Sequence, residues 1–129
     1  MAPISVTLAR RDPPAAVVAL VGEHDAYSAE RLKSELTALL DEDLRIVVDL
    51  RDAEFIDSTT LSVLLAARLH AERSSLGFAL LLPDRQYTQV HQILELTGLG
   101  RAFAIFEKLD AALAAVRAGR VDDRPVRAA

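Results

Sequence analysis

Two uninterrupted apolar runs constrain the fold of this chain more than any other feature. Residues 46–48 (Ile-Val-Val) and 78–82 (Phe-Ala-Leu-Leu-Leu) contain no polar side chain, which is typical of strands buried on both faces. Each run is followed by a segment in which apolar residues recur at helical spacing. Buried strands that alternate with amphipathic helices predict an α/β fold with a mostly parallel sheet.

The same patterns organise the rest of the chain. Strands are predicted at residues 5–9, 16–21, 44–50, 78–82 and 103–106. Amphipathic helices are predicted to start after Ser28, at residue 61, after Asp84 and near residue 109. The turn at residues 11–14 favours an antiparallel hairpin at the start, so the order is ββαβαβαβα. We expect one domain over residues 1–118 and a disordered tail over residues 119–129, which are charged and small and contain Pro125.

Composition excludes several classes of function. The net charge of −4 and the dispersed arginines argue against nucleic acid as a partner. The chain has no cysteine, so thiolate chemistry and cysteine-based metal sites are excluded, and the three histidines lack paired metal-ligand spacing. No glycine-rich nucleotide cradle appears, so no cofactor is expected. The absence of a long apolar run and of a signal peptide predicts a cytoplasmic protein without membrane insertion.

Ser58 is the residue whose position calls for a functional explanation. It lies where the chain leaves a strand and a helix begins, with Asp57 before it and Thr59 after it. A serine there can cap the helix by accepting a hydrogen bond from a free backbone N–H. It can equally be a regulated phosphoacceptor, because a helix N-terminus tolerates the added negative charge while a docked partner would meet it directly. The residues alone leave both interpretations open.

A second loop, at Glu23-His24-Asp25, also follows a strand and precedes a helix. If both strands end on the same side of the sheet, Asp25 and Ser58 share one rim, where α/β sheets commonly bind ligands. The simpler alternative is an ordinary solvated loop, and for Asp57 a carboxylate that favours the helix N-terminus.

A hydrolase is the least favoured alternative. Ser58, His24 and Asp57 could be combined into a triad, but the chain lacks the G-x-S-x-G elbow and Asp57 is the immediate neighbour of Ser58. We expect His24, His70 and His91 to be structural.

The loop motifs together resemble the STAS domain, and specifically the bacterial anti-sigma factor antagonists of sporulation and stress control. The segment 21–25 (Val-Gly-Glu-His-Asp) is similar to the G-E-x-D loop of that family, and 55–61 (Phe-Ile-Asp-Ser-Thr-Thr-Leu) is similar to its D-S-[ST]-G-L turn. The resemblance covers residues 4–118. It implies a sheet with helices packed mainly on one side, in agreement with the element order.

The resemblance also implies a function. Ser58 matches the serine that an anti-sigma factor kinase phosphorylates in this family. The unphosphorylated protein would bind that kinase, which supplies the nucleotide, and would thereby free a sigma factor. A serine phosphatase would remove the phosphoryl group again. The protein itself would not be an enzyme, and it would act as a monomer or a weak dimer. The partner-binding surface would comprise Glu23, Asp25, Asp57, Ser58, Thr59 and Thr60.

Thr60 departs from the family pattern, which has glycine at this position. A β-branched threonine could alter the contact with the kinase, and Thr59 and Thr60 offer rival hydroxyls. The alternative function is therefore a constitutive STAS interaction or scaffold module of a sensor or lipid-transport complex, without phosphoregulation.

Overall fold

The computed structural model describes residues 3–124. It contains the strands β1 (Ile4–Ala9), β2 (Ala15–Leu20), β3 (Gly22–His24), β4 (Arg45–Asp49), β5 (Ala53–Ile56), β6 (Phe78–Leu81) and β7 (Ala104–Phe106). The helices are α1 (Ala26–Asp41), α2 (Ser58–Arg73), α3 (Gln89–Thr97) and α4 (Leu109–Arg117), with a 3₁₀ turn at Leu99–Ala102. The main sheet has the order β1-β2-β4-β6-β7, with β1 antiparallel to β2 and the other neighbours parallel. The predicted mixed, mostly parallel five-stranded sheet is confirmed.

The continuous apolar runs arise because the central strands bury both of their faces. Ile46 and Val48 of β4 belong to a core shared with α1, α2 and α3, whereas Val47 between them packs towards α4 on the opposite face. All three side chains are fully buried. Three helices therefore cover one face and α4 alone covers the other, which agrees with the prediction of helices mainly on one side.

Two short strands were missing from the predicted order. β3 and β5 pair with each other in parallel, outside the main sheet, and His24 lies opposite Ile56 in their register. These strands are too short, and too mixed in polarity, to show the alternation of apolar and polar residues that predicts a strand. They nevertheless place the two functional loops next to each other.

Three helix starts differ from the predicted ones. α2 begins at Ser58 rather than at residue 61, and α1 and α3 are capped by other residues than expected. α1 is capped by Asp25, so Ser28 lies inside the helix rather than at its cap. α3 is capped by Thr88, whose side chain and His91 form a reciprocal capping box, so Asp84 is not its cap. In both helices a nearby residue that can also accept a hydrogen bond takes the role.

The segment that follows α4 is packed against the domain up to the last described residues. The N–H of Phe78 donates to the carbonyl of Arg120 at 2.8 Å, and the N–H of Ala104 donates to the carbonyl of Val121 at 3.2 Å. The Arg68 guanidinium of α2 reaches the carboxylate of Asp122 at 2.9 Å. These contacts differ from the disordered tail expected from residue 119 onward; the rest of that tail, residues 125–129, lies outside the described residues. None of the described helices is long and apolar enough to cross a membrane.

Candidate functional site

The candidate site consists of two strand–loop–helix units that lie side by side. β3 leads into α1 through Asp25, and β5 leads into α2 through Asp57. The parallel register that sets His24 opposite Ile56 brings the next residues, Asp25 and Asp57, to the same end. The N–H of Asp57 donates to the carbonyl of His24 at 3.2 Å, which ties the two units together. The expected common rim is therefore present, but the small β3–β5 sheet forms it rather than the main one.

Each of the two aspartates caps its helix. The Asp25 carboxylate accepts from the N–H of Tyr27 at 2.9 Å, and the Asp57 carboxylate accepts from the N–H of Thr60 at 2.8 Å. Both caps have the extended backbone that an N-cap requires. The capping interpretation of Ser58 is therefore wrong, because Asp57 holds that role.

Ser58 is the first helical residue of α2, and its side chain is exposed. Among residues 3–124 its hydroxyl has no hydrogen-bond partner; only its carbonyl is used, accepting from the Ser62 hydroxyl at 2.9 Å. Thr59 and Glu23 are also exposed. The hydroxyl of Ser58 is thus open to solvent at a helix N-terminus, where backbone N–H groups and the helix dipole favour an anion.

Thr60 is not part of the exposed rim. Its side chain is fully buried, and its hydroxyl donates to the carbonyl of His24 at 3.2 Å. A buried hydroxyl that is already bonded is neither a rival phosphoacceptor nor a direct contact for a docked partner. Thr60 belongs to the support of the rim, whereas Glu23, Asp25, Ser58 and Thr59 are exposed and Asp57 is half-buried.

His24 forms the buried centre between the two loops. Its ring Nε2 lies 3.1 Å from the carbonyl oxygen of Val21, and Nδ1 lies 3.1 Å from the hydroxyl of Ser28. Since a carbonyl can only accept, Nε2 carries the proton. Burial lowers the pKa of His24, which favours the neutral ring. The ring is engaged away from Ser58 and Asp57, so the triad considered from the sequence does not form.

Gln89 is a site residue that the sequence pattern did not reveal. Its side-chain amide donates to the carbonyl of Ile56 at 2.9 Å, and its side-chain oxygen accepts from the N–H of Ile56 at 2.9 Å. The side chain therefore occupies the free side of β5 as another strand would, one residue before Asp57. A glutamine at the start of a helix is the only signal in the sequence, and it does not identify a partner 33 residues away.

The rim is acidic. Glu23, Asp25 and Glu54 are exposed around the two loops. The nearby Arg51 is held by Asp49, with its two guanidinium contacts at 2.9 and 3.0 Å, so its charge is largely neutralised. Within the described part of the chain, no group of three or more His, Asp or Glu could hold a metal ion.

Comparison with known proteins identifies the family to which this architecture belongs. The family model of the STAS domain matches residues 7–112. The anti-sigma-F factor antagonist RsfB of Mycobacterium tuberculosis is 31% identical over 123 residues, which cover 94% of this chain and 98% of RsfB. The chain thus belongs to the STAS domain family, in its branch of anti-sigma factor antagonists, and the predicted family is confirmed.

Solved structures agree with this assignment. The crystal structure of an anti-sigma factor antagonist from Mycobacterium paratuberculosis has a TM-score of 0.73 at 28% identity and covers 89% of this chain and 95% of its own. The Bacillus cell fate determinant SpoIIAA, solved in its phosphorylated form, has a TM-score of 0.63 at 17% identity, with 85% of this chain and 97% of SpoIIAA covered. At that identity SpoIIAA supports the fold alone.

Proposed function

We propose that this chain is a phosphorylation-controlled binding protein that acts at Ser58 in the cytoplasm. In the unphosphorylated form it binds an anti-sigma factor kinase, which supplies the nucleotide, and thereby frees a sigma factor; a serine phosphatase reverses the modification. The observation that carries the proposal is the exposed hydroxyl of Ser58, which has no partner among residues 3–124 because Asp57 caps the helix.

The position of Ser58 explains how a phosphoryl group would act. Phosphorylation adds about −1.5 to −2 charges at neutral pH. The start of α2 accepts this charge, since a helix N-terminus favours an anion by roughly 0.3–1 kcal/mol. The same charge would lie beside Asp57 and on the same rim as Asp25. A partner that docks on this rim would therefore meet a concentrated negative charge, while the fold beneath it would be little affected.

The relatives support this assignment. RsfB, which is 31% identical to this chain, is named as an antagonist of an anti-sigma-F factor. The chain's own residues support a binding role rather than catalysis by Ser58, because the buried His24 is engaged by Val21 and Ser28.

The test combines mapping of the modification with binding measurements. The host's anti-sigma factor kinase and ATP should add one phosphoryl group to wild-type protein, located on Ser58 by peptide mapping and absent in Ser58→Ala. In calorimetric titrations with that kinase, Ser58→Asp should bind at least tenfold more weakly than wild type, and Ser58→Ala should bind like wild type. Ser62→Asp is the matched control, because Ser62 is also exposed on α2 but lies one turn further along.

Two results would contradict the proposal. If Ser58→Asp binds as tightly as wild type and no condition modifies Ser58, the chain is a constitutive STAS interaction or scaffold module. If the phosphoryl group is found on Thr59 instead, the mechanism remains but Ser58 is the wrong residue.

A further inference from the structure

The first strand of the main sheet leaves one of its long edges without a strand neighbour among residues 3–124. β1 pairs with β2 on one side only and lies at the end of the strand order. In the register, Pro3 lies opposite Val21, and the carbonyl of Pro3 accepts from the N–H of Val21 at 3.2 Å. Hydrogen-bonded pairs alternate along an antiparallel ladder. Residues 5, 7 and 9 therefore bond to β2, and the backbone groups of Ile4, Val6 and Leu8 point outwards.

This edge lacks the features that usually prevent strand pairing. β1 is six residues long and contains no charged residue, no proline and no glycine. Natural edge strands are usually short or carry a charge, a proline or a bulge. The opposite edge strand, β7, has only three residues. Charged residues follow both edge strands, Arg10 and Arg11 after β1 and Glu107 and Lys108 after β7, so it is the length of the strand that distinguishes the two edges. The two edges of the same sheet thus differ in how well they are protected.

The side chains on the outward-bonding residues add an apolar contact. Val6 and Leu8 are 38% and 42% exposed, and both lie on the face of the sheet that α1 covers, since they pair with Val18 and Ala16 of the core shared with that helix. The end of the strand is occupied, because the Arg31 side chain donates to the carbonyl of Ile4 at 3.4 Å. The free part of the edge is therefore centred between Val6 and Leu8, at Thr7.

We propose that β1 pairs antiparallel with β1 of a second copy, about a two-fold axis through Thr7. Val6 then lies opposite Leu8 of the second copy and Leu8 opposite its Val6, and each pair exchanges two N–H···O bonds. The two sheets become one continuous sheet, and the valine and leucine side chains cover each other. The Ile4 carbonyl keeps its bond to Arg31.

A second copy is the occupant that fits because the strand is complementary to itself. An antiparallel pairing of identical uncharged strands closes with two-fold symmetry and leaves no free copy of the edge. The contact is small compared with a standard interface of about 800 Å² per partner, so the dimer is weak and depends on concentration. It uses no residue of the rim around Ser58, so it is independent of the proposed function.

The absence of cysteine from the chain allows a direct test by cross-linking. Thr7→Cys places two thiols opposite each other at a non-hydrogen-bonded pair, where the Cα atoms are about 4.5 Å apart, within disulfide range. Ser5→Cys is the matched control, since Ser5 is exposed on the same face of β1. In the proposed register its Cα atom lies about 14 Å from its counterpart, four residues along the strand, which is beyond disulfide reach.

Under mild oxidation followed by non-reducing electrophoresis, Thr7→Cys should form a covalent dimer at least tenfold faster than Ser5→Cys. Equal rates for the two variants would overturn the proposed pairing.

Sedimentation of the wild type should show a mean mass that rises with concentration, and Val6→Lys should abolish the rise. Leu69→Lys, which changes a leucine of the same 38% exposure on α2, should leave it intact. A rise that persists in Val6→Lys would assign the association to another surface, and a wild type that stays monomeric at millimolar concentration would also overturn the proposal.

Discussion

The division of roles between Asp57 and Ser58 gives a prediction in which two adjacent residues behave differently. The Asp57 carboxylate accepts from the N–H of Thr60 at 2.8 Å, whereas the Ser58 hydroxyl is exposed and has no partner among residues 3–124. Loss of an N-cap typically destabilises a protein by about 1 kcal/mol. An exposed side chain without contacts usually changes stability by less than about 0.5 kcal/mol. Asp57→Ala should therefore lower the free energy of unfolding by about 1 kcal/mol, and Ser58→Ala should leave it nearly unchanged.

Urea unfolding followed by circular dichroism resolves this difference. With a denaturant slope of about 1.5 kcal/mol/M, a loss of about 1 kcal/mol moves the midpoint down by about 0.7 M. Asp57→Asn serves as the control, because asparagine caps a helix about as well as aspartate. It keeps the hydrogen bond to the N–H of Thr60 and loses only the interaction of the charge with the helix dipole, so its loss should be clearly smaller than that of Asp57→Ala.

The outcome that would refute this reasoning is a Ser58→Ala variant as destabilised as Asp57→Ala. The serine would then cap α2 in solution, and its hydroxyl would not be free for a kinase. Equal losses for Asp57→Asn and Asp57→Ala would show instead that the charge of Asp57, rather than its hydrogen bond, stabilises the helix.

Three further predictions concern the support of the site and the packing of α4. Burial lowers the pKa of His24 from 6.5, so below this pH the unfolded chain binds a proton that the folded chain does not. The free energy of unfolding, measured in urea, should therefore fall as the pH drops below about 6.5. A free energy of unfolding that does not change with pH in this range would show that His24 is accessible to solvent. Gln89→Ala removes both hydrogen bonds to the Ile56 backbone, so it should lower the free energy of unfolding by about 1–3 kcal/mol and speed hydrogen exchange at the Ile56 amide. An unchanged exchange rate would show that the Gln89 side chain does not hold β5. A Cβ on Gly77 would lie 2.1 Å from the carbonyl oxygen of Val116. Gly77→Ala should therefore lower the free energy of unfolding by about 1–3 kcal/mol and the melting temperature by several degrees. An unchanged melting temperature would show that α4 can move away from residue 77.

The centre of the main sheet was predictable because β4 and β6 bury both of their faces. Residues 46–48 and 78–82 are apolar throughout, and no solvated face interrupts these two runs. β3 and β5 were not predictable in the same way. They are three and four residues long, and exposed and buried positions do not alternate regularly along them. They form strands because they pair with each other and because Gln89 bonds to the backbone of β5, not because their sequences have a strand pattern.

The start of each helix was harder to predict than its existence, because several neighbouring residues can act as a cap. Asp25 and Ser28 are both good N-cap residues, as are Asp57 and Ser58. The choice depends on where the preceding strand ends and on which side chain has a partner elsewhere. Ser28 is buried and used by His24, which the sequence cannot show.

The C-terminal segment illustrates a contact that composition conceals. Four of the residues 120–124 are charged, and the segment looks like a solvated tail, but Asp122 is buried between Arg68 of α2 and Arg124. A charge pair between residues 54 positions apart is visible only once α2 and the end of the chain have been placed together.

Thr60 shows how the departure from the family pattern fits a rigid site. Since Thr60 is helical and its side chain points into the protein, the position does not require the backbone freedom of glycine. The carbonyl of His24 accepts from both the hydroxyl of Thr60 and the N–H of Asp57, so it holds the first turn of α2 against β3. If Ser58 carried a phosphoryl group, the first turn of α2 could not shift to move that group away from a partner without breaking those two hydrogen bonds. The added charge would therefore remain at the surface and act on a docked partner directly, through the desolvation that burying the phosphoryl group requires, rather than by a change of fold.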